Sequence, residues 1–183
     1  MNSLVMRRAV MDDAARVMDI IEDGKRSIAR FGIDQWQCGY PNIDSVASDI
    51  ELNSCYVAED DKGTALGTLA LLKGHDLEYE SADLPWLTSN GKAAEAPTYA
   101  AIHRCATAQA ALNRGIMAFM FSKATELAKR AGKTSLRIDT HPGNAAMRSF
   151  LTKQGFQEIG LFSLQSDDRT ESDLTRIAYE KLI

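Results

Sequence analysis

The stretch from Thr98 to Ala131 constrains this chain more than any other part of it. Thr98 to Thr107 has strand character. Gly115 to Ala131 places Met117, Met120, Phe121, Ala124, Leu127 and Ala128 along one helical stripe. Gly132 follows where a helix end favours glycine. Between strand and helix lie only Ala108 to Leu112 and then Asn113-Arg114-Gly115. A strand that feeds a long helix through a short loop leaves backbone N–H groups without internal acceptors at the helix start, and the helix dipole favours an anion there. Gly115 lets a ligand approach the backbone, and Arg114 can add a charge-assisted bond to a phosphate. A tight turn beside a solvated arginine fits the same residues.

The other segments read around this centre. Residues 4–10 form an opening strand. Asp12 or Asp13 can cap a helix with Val17, Ile20, Ile21, Gly24 and Ile28 on one side, ended by Phe31-Gly32. Ile33 to Asn42 is a loop rich in aromatic and turn-forming residues. A second helix runs from near Asn42 to Leu52. Ser54 to Glu59 and Ala65 to Lys73 make an antiparallel hairpin across Asp60-Asp61-Lys62-Gly63. Residues 74–97 read as a long irregular loop, a kind that is usually functional or mobile. After the central helix come a strand over Ser135 to Asp139, a helix capped by Asn144, and strands over Phe156 to Leu164 and Leu174 to Leu182 around Asp167-Asp168. This order predicts an α/β (α+β) fold with a mixed sheet and helices on its faces, spanning residues 1–183 as one domain. A chain of 183 residues with 45% hydrophobic and 25% charged side chains suits one such domain.

Several classes are excluded as expectations. No apolar run approaches the roughly 20 residues that a membrane helix needs. The start, Met1 to Arg8, has no secretory h-region. Cys38, Cys55 and Cys105 are scattered with no CxxC, which predicts a reduced, cytoplasmic protein. A net charge of −4 gives no reason to expect a nucleic-acid partner. Without His-x-His or clustered thiols, no metal site is expected.

The chain resembles the GNAT superfamily of acetyl-CoA-dependent N-acetyltransferases. The family's pyrophosphate signature, Q/R-x-x-G-x-G/A, aligns with Leu112-Asn113-Arg114-Gly115-Ile116-Met117; the central glycine is present, and Leu112 and Met117 replace the outer residues. A second signature, N-x-x-A-x-x-x-Y-x-x-x-G-F, aligns Asn144, Gly155 and Phe156, with Met147 and Leu151 at the alanine and tyrosine positions. Gln35-Trp36, Gly39-Tyr40-Pro41, Tyr99-x-x-Ile102-His103-Arg104 and Asp139-Thr140-His141-Pro142 look like a bacterial branch of the family.

The resemblance implies a largely antiparallel central sheet whose fourth and fifth strands splay apart to admit a thioester. It implies that amides of Asn113, Arg114, Gly115, Ile116, Met117 and Ala118 hold the CoA pyrophosphate. The strand edge at Cys105, Ala106 and Thr107 would bond the pantetheine arm, and Asn144 would touch CoA or fix its flanking helix. The implied activity is direct acetyl transfer from acetyl-CoA, as cosubstrate, to the amine of a small molecule or peptide. A non-catalytic CoA or acyl-CoA sensor of the same fold is the alternative, and a structural domain that has lost the cofactor is another. A homodimer is compatible with the sequence.

Such a transfer needs a neutral amine and a donor for the oxyanion, and a general acid or base helps. In the family, the position of Leu151 commonly carries a tyrosine acid and that of Ala101 a glutamate base; neither residue here can do that work. His103 shares strand parity with Ala101, and imidazole accepts protons near neutral pH. A base and a hydrogen-bonded structural histidine both fit. Tyr99, on the same side, could donate or relay a proton, or be a strand aromatic. His141 reads as a turn residue and Cys105 as a small buried hydrophobe. For the acceptor, Trp36, Tyr40, Trp86 and Glu78-Tyr79 sit on the two loops that wall this pocket in the family. Aromatics offer flat walls, and Glu78 or Glu22 would attract a protonated amine.

Overall fold

A computed structural model of the chain describes residues 3–92, 94–165 and 171–183. Its elements are β1 (Val5–Arg8), α1 (Ala14–Ala29), α2 (Ile43–Glu51), β2 (Cys55–Glu59), β3 (Ala65–Leu72), α3 (Leu77–Ser81), β4 (Tyr99–Thr107), α4 (Ile116–Arg130), β5 (Ser135–Thr140), α5 (Ala145–Lys153), β6 (Gln157–Ser163) and β7 (Thr175–Leu182). The strands form one sheet in the order β1-β2-β3-β4-β5-β7-β6. Among the described residues only the β4–β5 pair is parallel.

The element order expected from periodicity holds, with one addition. The segment 74–97 contains α3, which starts because Asp76 accepts the free amides of Glu78 and Tyr79 on its Oδ1. The helix expected from near Asn42 is α2, and Asn42 caps it by accepting from Ser45 N–H at 3.0 Å. Asp13 does not cap α1 with its side chain; the carboxylate is taken by the Arg7 guanidinium at 2.7 and 2.9 Å and by the Val10 amide. The turn expected at Asp167-Asp168 lies outside the described residues.

Helices cover both faces of the sheet. Gly67 faces α4, where an added Cβ would lie 2.7 Å from Ile116 Cγ2 and 3.0 Å from Met120 Sδ. Its neighbour Thr68 points the other way and pairs with Ala106, which meets α1 at Gly24. An added Cβ on Gly24 would lie 3.0 Å from Ala106 Cβ. Two glycines on opposite sides therefore let helices come down close onto β3 and β4. Val17, Ile20 and Ile21 of α1 and Ile116, Met120, Phe121, Ala124 and Ala128 of α4 fill the core. Of the expected α4 stripe, Met117 and Leu127 sit at its margin, partly exposed.

Two irregularities of β4 shape everything near the site. Its pairing with β5 covers only Tyr99↔Ser135, Ala100↔Leu136 and Ala101↔Arg137, after which the strands part. That is the splay which the family resemblance implies. On its other edge, β4 pairs Ala70 with His103 and Thr68 with Ala106, so the single residue Leu69 stands opposite both Arg104 and Cys105. This is a β-bulge, and it bends the strand where pairing with β5 has ended. Arg104 takes a left-handed φ of 46° there, which costs a non-glycine residue about 1–3 kcal/mol. Its guanidinium is held by both oxygens of Asp49 at 2.5 and 2.6 Å and by Tyr40 Oη at 2.6 Å.

Because Gly67 sets how closely the start of α4 approaches the sheet, a Gly67→Val chain is expected to lose about 1–3 kcal/mol through overpacking. That amounts to a fall in melting temperature of about 2–12 °C, which a thermal melt measures.

Candidate active site

Where β4 and β5 part, the structure holds a cavity of about 350 Å³. Ile102, His103, Arg104 and Cys105 of β4 form one wall and Ile138, Asp139 and Thr140 of β5 the other. Trp36 and Tyr40 come from the loop after α1. Asp76, Glu78 and Tyr79 come from α3 and its cap, and Asn144 and Met147 from the start of α5.

His103 is tied to the cap of α3. Its Nε2 lies 2.7 Å from Asp76 Oδ2, while Oδ1 of the same carboxylate receives the amides of Glu78 and Tyr79. Burial pushes the Asp76 carboxyl up; the His103 contact and the two amides outweigh it, so Asp76 lies below its ordinary value and is ionised at neutral pH. An ionised acceptor requires Nε2 to carry the proton, which leaves the lone pair of a neutral imidazole on Nδ1. Tyr79 stacks on the imidazole with ring centroids 5.5 Å apart, and its hydroxyl donates to Asp139 Oδ1 at 2.7 Å. The other Asp139 oxygen lies 3.6 Å from Arg176, a buried guanidinium that is also paired with Glu171. Glu171 in turn accepts from the Trp36 amide at 2.8 Å, which ties the Trp36 loop to β7.

At the other end of the region, Gly115 takes φ +76° as the N-cap of α4. An added Cβ there would meet no atom within 4 Å. The first internal bond of the helix runs from Phe119 N–H to Gly115 O, so the preceding amides of Ile116, Met117 and Ala118 have no intrahelical acceptor. Leu112 is 39% exposed and Met117 packs against the core, so neither closes over the glycine. Nothing in the donor set clashes with a pyrophosphate at this place.

The expected site residues are thus partly brought together. His103, Cys105, Asn144, Trp36, Tyr40 and Glu78 all line the cavity. Ala106, Thr107, Asn113, Arg114, Gly115, Ile116, Met117 and Ala118 lie outside that lining, on the strand end and helix mouth. Asn144 caps α5, accepting from Met147 N–H at 3.2 Å. Tyr99 and Trp86 do not line the cavity, because their rings clamp the Arg137 guanidinium at 3.9 and 4.1 Å. The Tyr99 hydroxyl is committed to Glu80 and burial pushes it up, so it is poorly suited to relay a proton. Glu22 is paired with Lys25 at 2.7 Å, away from the lining. His141 serves its turn: Nδ1 accepts from the Gly143 amide and Nε2 meets Asp173 rather than the neighbouring Asp139. Burial pushes the Cys105 thiol up to about 12, which keeps it protonated. Leu151 and Ala101 are fully buried. Among the described residues no group of His, Cys, Asp or Glu could hold a metal, and no helix is long and apolar enough to cross a membrane.

The sequence matches the family described as "Acetyltransferase (GNAT) family" over residues 22–156. The chain belongs to the GNAT acetyltransferase family. As such it is an acyltransferase, of a family that generally uses acetyl-CoA and acts on amine acceptors. It is similar to a GNAT-family acetyltransferase from Streptococcus agalactiae, with 29% identity and a TM-score of 0.79 across 98% of this chain and 95% of that one. A GNAT-family acetyltransferase from Listeria monocytogenes shares 19% identity, with a TM-score of 0.69 over 98% and 95% of the two chains. A GCN5-related N-acetyltransferase from Kribbella flavida shares 15%, with a TM-score of 0.63 over 98% of each. These last two show the fold alone. No curated protein matches the sequence.

Sequence reasoning missed Asp76, the residue that orients His103. Its signal was present: an aspartate followed by Leu77-Glu78-Tyr79-Glu80 is a helix N-terminus pattern with acids in the first turn. A carboxyl held below its ordinary value stabilises the fold above its unfolded pKa, near 3.9, and loses that contribution as pH falls through the folded value. Asp76→Asn is therefore expected to lower the melting temperature at pH 7. The gap from the parent chain should close below about pH 4, as melts across pH 3–8 will show.

Proposed function

We propose that this enzyme transfers an acetyl group from acetyl-CoA to the amine of a small molecule or peptide terminus, with His103 as general base. The observation that carries this reading is the Asp76–His103 pair at the point where β4 and β5 part. The usual glutamate and tyrosine positions hold Ala101 and Leu151, both buried, so proton handling falls to another group. His103 lines the cavity, and its proton-bearing Nε2 is turned toward a carboxylate. Asp76 fixes the tautomer and stabilises the imidazolium that forms when Nδ1 takes the amine proton, the same division of labour as in an Asp–His pair that serves a nucleophile.

Acetyl-CoA supplies an activated thioester. The residues that would hold it are the amides of Gly115, Ile116, Met117 and Ala118 with Arg114 at the pyrophosphate, and the edge of Cys105, Ala106 and Thr107 along the pantetheine arm. Asn144 acts by fixing α5 beside that groove. Trp36 and Tyr40 wall the acceptor, and Glu78 attracts its ammonium before the proton is lost. Trp86 has no place in this wall. The whole chain serves as one domain, and three free thiols suit a reducing, cytoplasmic setting.

An amine panel with release of free CoA as readout separates this reading from a CoA sensor, which would bind without turnover. With an acceptor found, His103→Ala is expected to lower kcat at least about tenfold while acetyl-CoA affinity stays within about twofold. An unchanged pH–rate profile in that variant would remove His103 from the mechanism. By calorimetry, Gly115→Val is expected to weaken CoA binding about tenfold or more, because it strains a left-handed φ and fills the open side of the helix mouth. Undiminished binding would move the pyrophosphate elsewhere.

A further inference from the structure

We propose that Tyr99 and Arg137 are positioning residues that hold the His103 imidazole in a single tautomer through Asp76; this rests on the reading of His103 as the base. Neither touches the cavity, and Arg137 carries no family signature.

The connection is continuous. Arg137 is wholly buried, and its guanidinium lies between the faces of Tyr99 and Trp86. It donates to Glu180 Oε1 at 3.1 Å, to Asn90 Oδ1 at 2.6 Å and to the Thr88 carbonyl at 2.6 Å. Glu180, also wholly buried, accepts in addition from the Leu87 amide and from the hydroxyls of Thr88 and Ser135, each at 2.5 Å. The planar fork is thus fixed in orientation, and it fixes the two rings stacked on it.

Each ring then holds one side of the short helix behind His103. The Tyr99 hydroxyl accepts from the Asp76 amide and donates to Glu80 Oε1, both at 2.9 Å. The Trp86 indole N–H donates to the Tyr79 carbonyl at 3.1 Å. Asp76 and Tyr79 both meet the imidazole, one at its edge and one on its face. A five-residue helix has little stability of its own, so its placement depends on these ties. The arrangement explains why Tyr99 is a tyrosine although it does not line the cavity.

The test uses the whole chain labelled with ¹⁵N-histidine. It contains only His75, His103 and His141, so each imidazole can be assigned. With the imidazoles neutral, wild-type His103 is expected to show one nitrogen of N–H type, Nε2, and one of lone-pair type, Nδ1. In Tyr99→Phe, which keeps the ring on Arg137 and removes only the hydroxyl, both His103 nitrogens should move to averaged values. Arg137→Lys, which keeps the charge and loses the plane, should do the same, while His141 stays unchanged as the control for folding. If Arg137→Lys does not fold, Tyr99→Phe decides alone. A fixed Nε2–H tautomer persisting in Tyr99→Phe would overturn the inference.

With an acceptor in hand, Tyr99→Phe should lower kcat about tenfold with KM for acetyl-CoA unmoved, and should cost nothing further in a His103→Ala background. An equal cost in both backgrounds would show that Tyr99 does not act through His103. Full activity of His103→Ala alone would instead overturn the catalytic reading, whatever the tautomer of His103 in Tyr99→Phe.

Discussion

The structure depends on one strand that leaves its neighbour and is nevertheless held still. After Ala101, β4 has no ladder partner on the β5 side, and its backbone there must be kept in place by other means. On the β3 side the bulge at Arg104 and Cys105 bends it, and a largely buried ion pair from a half-buried Arg104 to Asp49 on α2, with Tyr40 as a third contact, sets that bend. Charges taken this far out of water are tolerated only when fully paired, and both oxygens of Asp49 meet the Arg104 guanidinium. On the sheet faces, Gly24 and Gly67 let α1 and α4 lie directly against the diverging region. The cleft is therefore a gap with rigid walls, which is what a thioester and an incoming amine require if they are to meet in one geometry.

Chemistry within the gap follows from which groups are buried and which of those are paired. Cys105 lies two residues after His103, yet the same burial that makes it a good wall keeps its thiol protonated. Asp76 is buried too, but two amides and an imidazole favour its charged form. Asp139 and Arg176 are tied, through Tyr79 and Glu171, into a set that braces the β5 side of the cavity. A family position that carries a tyrosine acid is here Leu151, packed in the core. With a leucine at that helical position, the proposed mechanism takes its proton chemistry from another element, and His103 on β4 is the residue it assigns.

Much of this was legible in the sequence, for identifiable reasons. Long amphipathic patterns marked α1 and α4, and the glycine at position 115 marked the helix mouth, since local backbone geometry at such points is dictated locally. His103 could be placed on the cavity wall because strand parity with Ala101 survives up to the bulge. The roles of Tyr99 and Trp86 could not be read, because Arg137, the group they share, lies far along the chain and gives no local sign of where its guanidinium will lodge. Asp76 carried a local capping signal, but α3 has only five residues within a polar stretch, too few for periodicity to support it. The Arg176–Glu171–Trp36 tie joins residues far apart in sequence, and no pattern within either segment announces it.

The central claim is that the gap between β4 and β5 receives a thioester next to Nδ1 of His103, and a crystal structure of the enzyme with acetyl-CoA tests it most directly. The account predicts the pyrophosphate on the amides that open α4, the pantetheine arm along the free edge of β4, and the acetyl carbonyl within the cavity that His103 lines. Acetyl-CoA bound with its thioester outside that gap, or His103 turned so that Nδ1 rather than Nε2 meets Asp76, would contradict it.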